Sequence, residues 1–298
     1  MKKLFYLFVA ALCCGLCACS DSDDYNADTA ESYYKPLEGE RMVASVKTTN
    51  TIGGRDYYWE HKFEYDAQGR IKNINSVMRH HTEVVFANTS RFYECNITSE
   101  AKYYYRGDLL EVYYNVKKEY PEYPAWNEQE NAIDRGRFSE AGVLATFSAM
   151  DLVYSGNLLS AAYSDNGYEY ALKRDASGDV AGYVVTDINE SKVLADNAFK
   201  YGYSHYPNRT NFDFSAYFGY WGMEQAVYAN RYPYYASYQL AAFGMFGMTS
   251  PYLPLSLLGK DEYGDEAYVN GKWEFDSQNF PVSFVDATGR RTEITYVD

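Results

Sequence analysis

The stretch Phe63-Glu64-Tyr65-Asp66-Ala67-Gln68-Gly69-Arg70-Ile71 recurs in diluted form along most of the chain, and it restricts the fold more than any other feature. Phe63 and Tyr65 project to one face of a strand and Glu64 to the other, because side chains in a strand alternate with period two. Asp66 opens a turn by accepting hydrogen bonds from the backbone ahead of it. Gly69 closes the turn by supplying the positive φ of an αL or bulged exit. Asp175-Ala176-Ser177-Gly178-Asp179 and Asp286-Ala287-Thr288-Gly289-Arg290 repeat this turn nearly letter for letter. Tyr105-Arg106-Gly107-Asp108-Leu109-Leu110 and Tyr154-Ser155-Gly156-Asn157-Leu158-Leu159 form a tighter variant that favours primed geometry. Phe138-Ser139-Glu140-Ala141-Gly142 and Phe275-Asp276-Ser277-Gln278-Asn279 are weaker copies, with Asn279 standing for Gly because Asn also visits αL. The copies are irregularly spaced, which excludes a strict solenoid and predicts a mainly β, antiparallel meander of hairpins.

Strands are expected from about Arg41. The clearest sets Leu110, Val112, Tyr114 and Val116 on one face and Glu111, Asn115 and Lys117 on the other, the mark of a sheet with one buried and one wet side. Tyr93, Cys95 and Ile97 share an apolar face in the same way, so Cys95 reads as a small buried hydrophobe with no His or acidic partner nearby in sequence. From Lys118 to Asn131 two prolines predict a long loop with exposed aromatics, Tyr120, Tyr123 and Trp126 among them. From Phe212 to Leu258 alternation fades, and the composition predicts short buried helices at Trp221 to Ala229 and Ser237 to Phe246, ended by Pro251 and Pro254. Strands then resume at Ala267.

At the N-terminus, Met1-Lys2-Lys3 and the apolar run Leu4 to Leu12 have the form of a secretory signal, too short for a stable transmembrane helix. Leu16-Cys17-Ala18-Cys19 resembles a bacterial lipobox. The expected organisation is a signal peptide over 1–18, a lipidated Cys19 with an acidic flexible tether over 19–40, and one β-rich domain over 41–298 with its helical insertion at about 212–258. If Cys19 carries lipid, Cys95 is the thiol left in the mature chain, and an internal disulfide is impossible.

The hairpins, the block Tyr206-Pro207-Asn208-Arg209-Thr210-Asn211-Phe212-Asp213-Phe214 and the block Tyr252-Leu253-Pro254-Leu255-Ser256-Leu257-Leu258-Gly259-Lys260 together resemble a family of Bacteroidota cell-envelope lipoproteins of unknown function, described as porin-like in fold. The hairpins alone are also similar to the YD repeats of Rhs-type surface proteins. The family resemblance implies a barrel-like or strongly curved antiparallel sheet and a cell-envelope location, and it transfers no catalytic residue. The acidic run after Cys19 resembles the export signal that takes such lipoproteins to the outside of the outer membrane, and Asp28-Thr29-Ala30 matches a short O-glycosylation motif, with Thr29 the acceptor. A membrane-spanning barrel does not fit, because the strands carry charges where a lipid-facing band is apolar and the chain ends Thr295-Tyr296-Val297-Asp298 rather than in an aromatic.

The net charge of −14 argues against nucleic acid as a partner, since phosphate binding needs a basic face. His80 and His81 are adjacent and point to opposite sides of a strand, and His61 and His205 are isolated, so no metal site and no cofactor is expected. No nucleophile elbow, zinc-helix or phosphate-loop motif occurs. The pairs Asp261 with Glu262 and Asp265 with Glu266 would serve glycoside hydrolysis only if the fold set carboxylates across a cleft. The remaining hint is aromatic. Aromatics make up 18% of the chain and Tyr alone contributes 34 residues, a type suited to half-buried positions where the ring packs and the hydroxyl stays wet. Tyr220, Trp221, Tyr234 and Tyr235, with Tyr120, Tyr123 and Trp126, are the candidate ligand-binding residues. They would stack on a glycan, a peptide or an envelope partner if exposed, and form core if buried. The expectation is thus a lipid-anchored, non-enzymatic binding protein, with a carboxylate-based hydrolase as the alternative.

Overall fold

The structure is a computed structural model and describes residues 40–86, 89–148, 150–156, 158–165, 167–174, 180–198, 200–219, 242–245, 251–260 and 266–297. Cys19, Thr29, the turn around Gly178, and Tyr220, Trp221, Tyr234 and Tyr235 lie outside these residues.

The strands are β1 (Val43–Ile52), β2 (Arg55–Tyr65), β3 (Ile71–Phe86), β4 (Thr89–Arg106), β5 (Leu109–Glu119), β6 (Glu128–Phe138), β7 (Leu144–Phe147), β8 (Met150–Ser155), β9 (Leu158–Ser164), β10 (Tyr168–Arg174), β11 (Val180–Asp187), β12 (Lys192–Ala198), β13 (Lys200–Pro207), β14 (Tyr252–Lys260), β15 (Glu266–Phe275), β16 (Pro281–Asp286) and β17 (Arg291–Tyr296). Among the described residues they form one sheet. Antiparallel pairing runs from each strand to the next through β12 and again from β13 to β17, and β17 returns to pair with β1. β12 pairs with β11 and β13 with β14, while β11 also touches β13 and β12 touches β14. The two ends of the ladder therefore lie side by side, and the meander curves round into a barrel-like sheet.

The turns form as their sequence requires. Asp66 N–H donates to Arg70 O at 2.9 Å, Gly69 N–H to Asp66 O at 3.0 Å, and the Asp66 carboxylate accepts from the N–H groups of Gln68 and Arg70. Asp286 and Asp276 build the same turn, and Ser139 keeps its backbone bonds with Val143 and Gly142. Gly69, Gly107, Gly156 and Gly289 all take positive φ, and Asn279 substitutes for Gly at φ 63°.

Two expectations are corrected. β5 runs to Glu119 and β6 begins at Glu128, so the loop expected over Lys118 to Asn131 shrinks to the residues between them. Lys118 and Lys117 pair with Glu128 and Gln129 at the base of the loop, and the strands tolerate these polar residues because one side of both is solvated. The insertion ends earlier than expected, since β14 begins at Tyr252, before the expected limit of 258. Leu253, Leu255 and Leu257 alternate along it, and Pro254 falls where the register shifts against β13, so its missing N–H interrupts no regular ladder. Of the expected helices, Trp221 to Ala229 lies outside the described residues and only 242–245 of the second is described, with Ala242 helical. A helix the sequence did not announce, α1 (Phe214–Gly219), starts where the Asp213 carboxylate accepts from Ser215 N–H at 2.8 Å.

The described part of the insertion occupies the barrel interior. Phe212, Phe214, Phe243 and Met245 are buried among inward side chains of several strands. Phe243 meets Phe63 of β2 edge-on at 4.8 Å, Phe214 meets Trp273 of β15 at 5.2 Å, and Leu144 of β7 donates its N–H to Met245 O at 3.1 Å. Tyr217 is likewise core, 8% exposed. The outward face is charged, with pairs such as Lys47–Glu293, Lys102–Glu100 and Arg291–Glu274.

Candidate functional site

The loop between β5 and β6 is folded by its prolines. Tyr123 N–H donates to Tyr120 O at 3.0 Å, and Pro124 opens a single 3₁₀ turn through Trp126, whose N–H reaches Tyr123 O at 2.9 Å. Asn127 Oδ1 accepts from Tyr120 N–H at 2.8 Å and ties the loop's base. This brings Tyr123 and Trp126 face to face, with centroids 4.7 Å apart and planes 17° from parallel. Tyr93 of β4 meets both rings edge-on at 5.0 and 5.5 Å, and Tyr120 meets Trp126 at 5.8 Å. Tyr93 is buried, whereas Tyr123 and Trp126 remain 38% and 36% exposed. The sequence marked Tyr120, Tyr123 and Trp126, and the structure unites them. In the sequence Tyr93 shows only as a strand residue, because its place under the loop depends on the β4–β5 register.

Beneath this knot lies Cys95, buried and free. The register sets His80 directly across from it on β3, with the Lys118–Glu128 ion pair at 3.0 Å nearby, so the partner that local sequence lacked comes from strand pairing. The pair is nonetheless quiet. Burial pushes the thiol's pKa up, against the pull of a Tyr120 hydrogen bond and Lys118, and pushes His80 down, so neither group is charged at neutral pH. His81 pairs across with Glu94 on the opposite face, as the alternation predicts.

A second cluster faces the interior. Asp134 of β6 and Tyr103 of β4 both pair across with Val112 of β5, and Tyr114 of β5 lies next along the same face. Tyr114 OH and Asp134 Oδ2 have no hydrogen-bond partner among the described residues. Burial raises the Asp134 carboxyl above the usual range, against a hydrogen bond with Ser148, and burial with the nearby acid raises both tyrosines. Asp134 can hold a proton, but a glycosidase needs two facing carboxyl groups. The other buried carboxylates among the described residues are engaged: Glu111 with Arg135 at 2.9 Å and Arg106 at 3.7 Å, Asp286 with Arg290 at 2.8 Å, and Asp213 with the N–H and hydroxyl of Ser215. Asp261, Glu262 and Asp265 lie outside the described residues, and Glu266 begins β15.

A third feature is an open groove of about 510 Å³ on the outward face, between the β1–β2 hairpin and the β16–β17 turn. Its floor includes Thr49, Tyr58 and Arg79, which lie on three strands and meet only through the register, so no local pattern marks it. No group of metal-ligating side chains occurs among the described residues.

No family model matches the chain, and no curated protein matches it. Among solved structures it is similar to a porin-like protein from Bacteroides uniformis ATCC 8492, with a TM-score of 0.46 and 10% identity over 86% of this chain and 98% of that one. It is also similar to a porin-like protein from Bacteroides vulgatus ATCC 8482, with a TM-score of 0.35 and 13% identity over 87% of this chain and 99% of that one. At such values neither residues nor activity transfer.

Proposed function

We propose that the chain is a non-enzymatic binding protein of the cell envelope, held at the outer membrane by a lipid on Cys19 and gripping a glycan, or a peptide of an envelope partner, through the Tyr123–Trp126 pair. The observation that carries this reading is the half-exposed stacked pair, backed by Tyr93 and Tyr120. Each stacked ring gives one face to the other and keeps one for a ligand, and a backed ring loses little freedom on binding. The lipobox, the tether and the charged outward face support a barrel that stands in water beside the membrane rather than within it.

The test is a glycan array together with a pull-down from envelope extract, run on the wild type and on Trp126→Ala. Capture that falls at least tenfold in the variant supports the reading. Capture of nothing in either assay, or capture indifferent to Trp126, overturns it.

A further inference from the structure

The outward groove belongs to no part of the aromatic knot, and its chemistry is different. Thr49, Tyr58 and Arg79 are direct cross-strand neighbours on β1, β2 and β3, so they form a row two strand spacings long, roughly 10 Å. One wall is the β1–β2 hairpin, where Thr51 Oγ1 donates to Asp56 Oδ1 at 2.7 Å. The other is the lip at Thr288 and Gly289. The Tyr58 hydroxyl is committed, donating to Glu60 at 2.8 Å, which fixes the ring, and Lys47 Nζ stands over one ring face at 5.7 Å, so the opposite face is the surface a ligand can use. Arg79 is held loosely, 3.6 Å from Glu94, and is more than half exposed, so its remaining N–H groups are available. The groove therefore offers one oriented aromatic ring, one planar donor, one carboxylate acceptor and threonine hydroxyls.

That set discriminates among ligand classes. A lipid tail needs an apolar lining, and this one is hydroxyl-rich and carries both charges. A polyphosphate needs convergent cations, whereas Arg79 shares this lining with the Asp56 carboxylate. A pyranose presents an apolar C–H face that lies on an aromatic ring, and a rim of hydroxyls that bonds carboxylates and guanidinium groups. The volume, about 510 Å³, fits one or two such rings. We infer that the groove between the β1–β2 hairpin and the β16–β17 turn is a binding site for a neutral pyranoside of one or two sugar units, with Tyr58 as the stacking ring and Arg79 and Asp56 as the hydrogen-bonding groups. The site stands independently of the Tyr123–Trp126 pair.

The test is saturation-transfer NMR on the full chain with three disaccharide probes: cellobiose, maltose and N,N′-diacetylchitobiose, each at millimolar concentration. At least one should give a saturable signal. Tyr58→Ala and Arg79→Ala should each weaken it tenfold or more, while Tyr58→Phe, which keeps the ring, should bind within threefold of wild type. Trp126→Ala should leave this signal unchanged. No signal with any probe overturns the inference, as does a signal that survives both Tyr58→Ala and Arg79→Ala. A signal lost only in Trp126→Ala overturns it while favouring the aromatic knot. Competition by inorganic phosphate but by none of the sugars marks an anion site and likewise overturns it. A circular-dichroism melt of each variant guards against loss through unfolding, and Tyr58→Phe keeps the test decisive if Tyr58→Ala does not fold.

Discussion

Tyrosine hydroxyls do unexpected structural work here. Tyr65 donates to Val43 O at 2.6 Å, Tyr105 to Ile71 O at 2.9 Å, Tyr154 to Leu144 O at 2.6 Å and Tyr296 to Pro281 O at 2.5 Å. In each case a Tyr at the end of one strand locks onto the carbonyl that starts a nearby one. The expected wet hydroxyl is thus a bonded one, and burial raises the pKa of Tyr65, Tyr154 and Tyr296 accordingly. Tyr105→Phe or Tyr154→Phe should each cost ~1 kcal/mol, read as a shift in the urea midpoint. Two other residues make stability depend on pH. His61 is buried, bonded to Ser76 at 2.7 Å, and burial lowers its pKa from 6.5 to about 4. The unfolded chain then binds the proton more tightly, so stability is full above pH 6.5 and falls as pH drops toward 4, by roughly 3 kcal/mol in all. His61→Gln should flatten that acid limb in pH-dependent denaturation, and an unchanged limb would refute the assignment. Asp134 has the opposite sign. Its folded pKa is raised, so its contribution is present at low pH and is lost as pH rises through that value. Asp134→Asn should therefore raise the denaturation midpoint at pH 7 and leave it unchanged in strong acid.

The turn is the element that the chain spells most clearly. Asp, two linkers, a residue at positive φ and an Arg recur because one carboxylate can satisfy two backbone N–H groups and a guanidinium at once, as Asp66 does with Gln68, Arg70 N–H and Arg70 Nε. Asp276 lacks the Arg, Phe280 standing in its place, and Arg41 supplies the missing charge at 3.0 Å from the far end of the chain. Gly289→Val should destabilise by roughly 1–2 kcal/mol, because a β-branched residue is strained at φ 86°. A Tm equal to wild type in calorimetry would show that the turn relaxes instead. These turns, the strands they join and the aromatic loop were legible because they are local. β6 was not, since Glu128 to Arg137 carries little apolar alternation and is held by pairing with β5. β14 hid behind Pro254, and the groove of Thr49, Tyr58 and Arg79 exists only through register.

At the scale of the molecule the two barrel ends differ. One gathers the Tyr65, Tyr105, Tyr154 and Tyr296 locks, and there the Asn-Arg-Thr-Asn block is tied in: Asn211 Oδ1 accepts from Val43 N–H at 2.9 Å and Asn211 Nδ2 donates to Tyr65 OH at 3.0 Å. The guanidinium of Arg209 lies over the Phe280 ring at 4.6 Å. The other end carries the long β3–β4 hairpin, the aromatic loop and the groove, where side chains face solvent. A tied base with loops at the other end is the arrangement the proposed tethered binder needs, since loops hold ligands best on a scaffold that does not move. The face between these ends is what decides how the chain meets a membrane. Its outward positions hold Lys47, Glu293, Lys102, Glu100, Arg291 and Glu274, and translation of such charges into hydrocarbon costs several kcal/mol even when they are paired. On the proposed reading, attachment rests on the acyl chain of Cys19. Cys19→Ala should move the protein from the membrane pellet to the soluble fraction, with an unchanged circular-dichroism spectrum and melting temperature, because the residue lies far in sequence from every lock in the barrel. Retention of Cys19→Ala in the pellet after a high-salt wash would mean that the barrel wall itself enters the bilayer, and the charged outward face would then have to be covered by a partner.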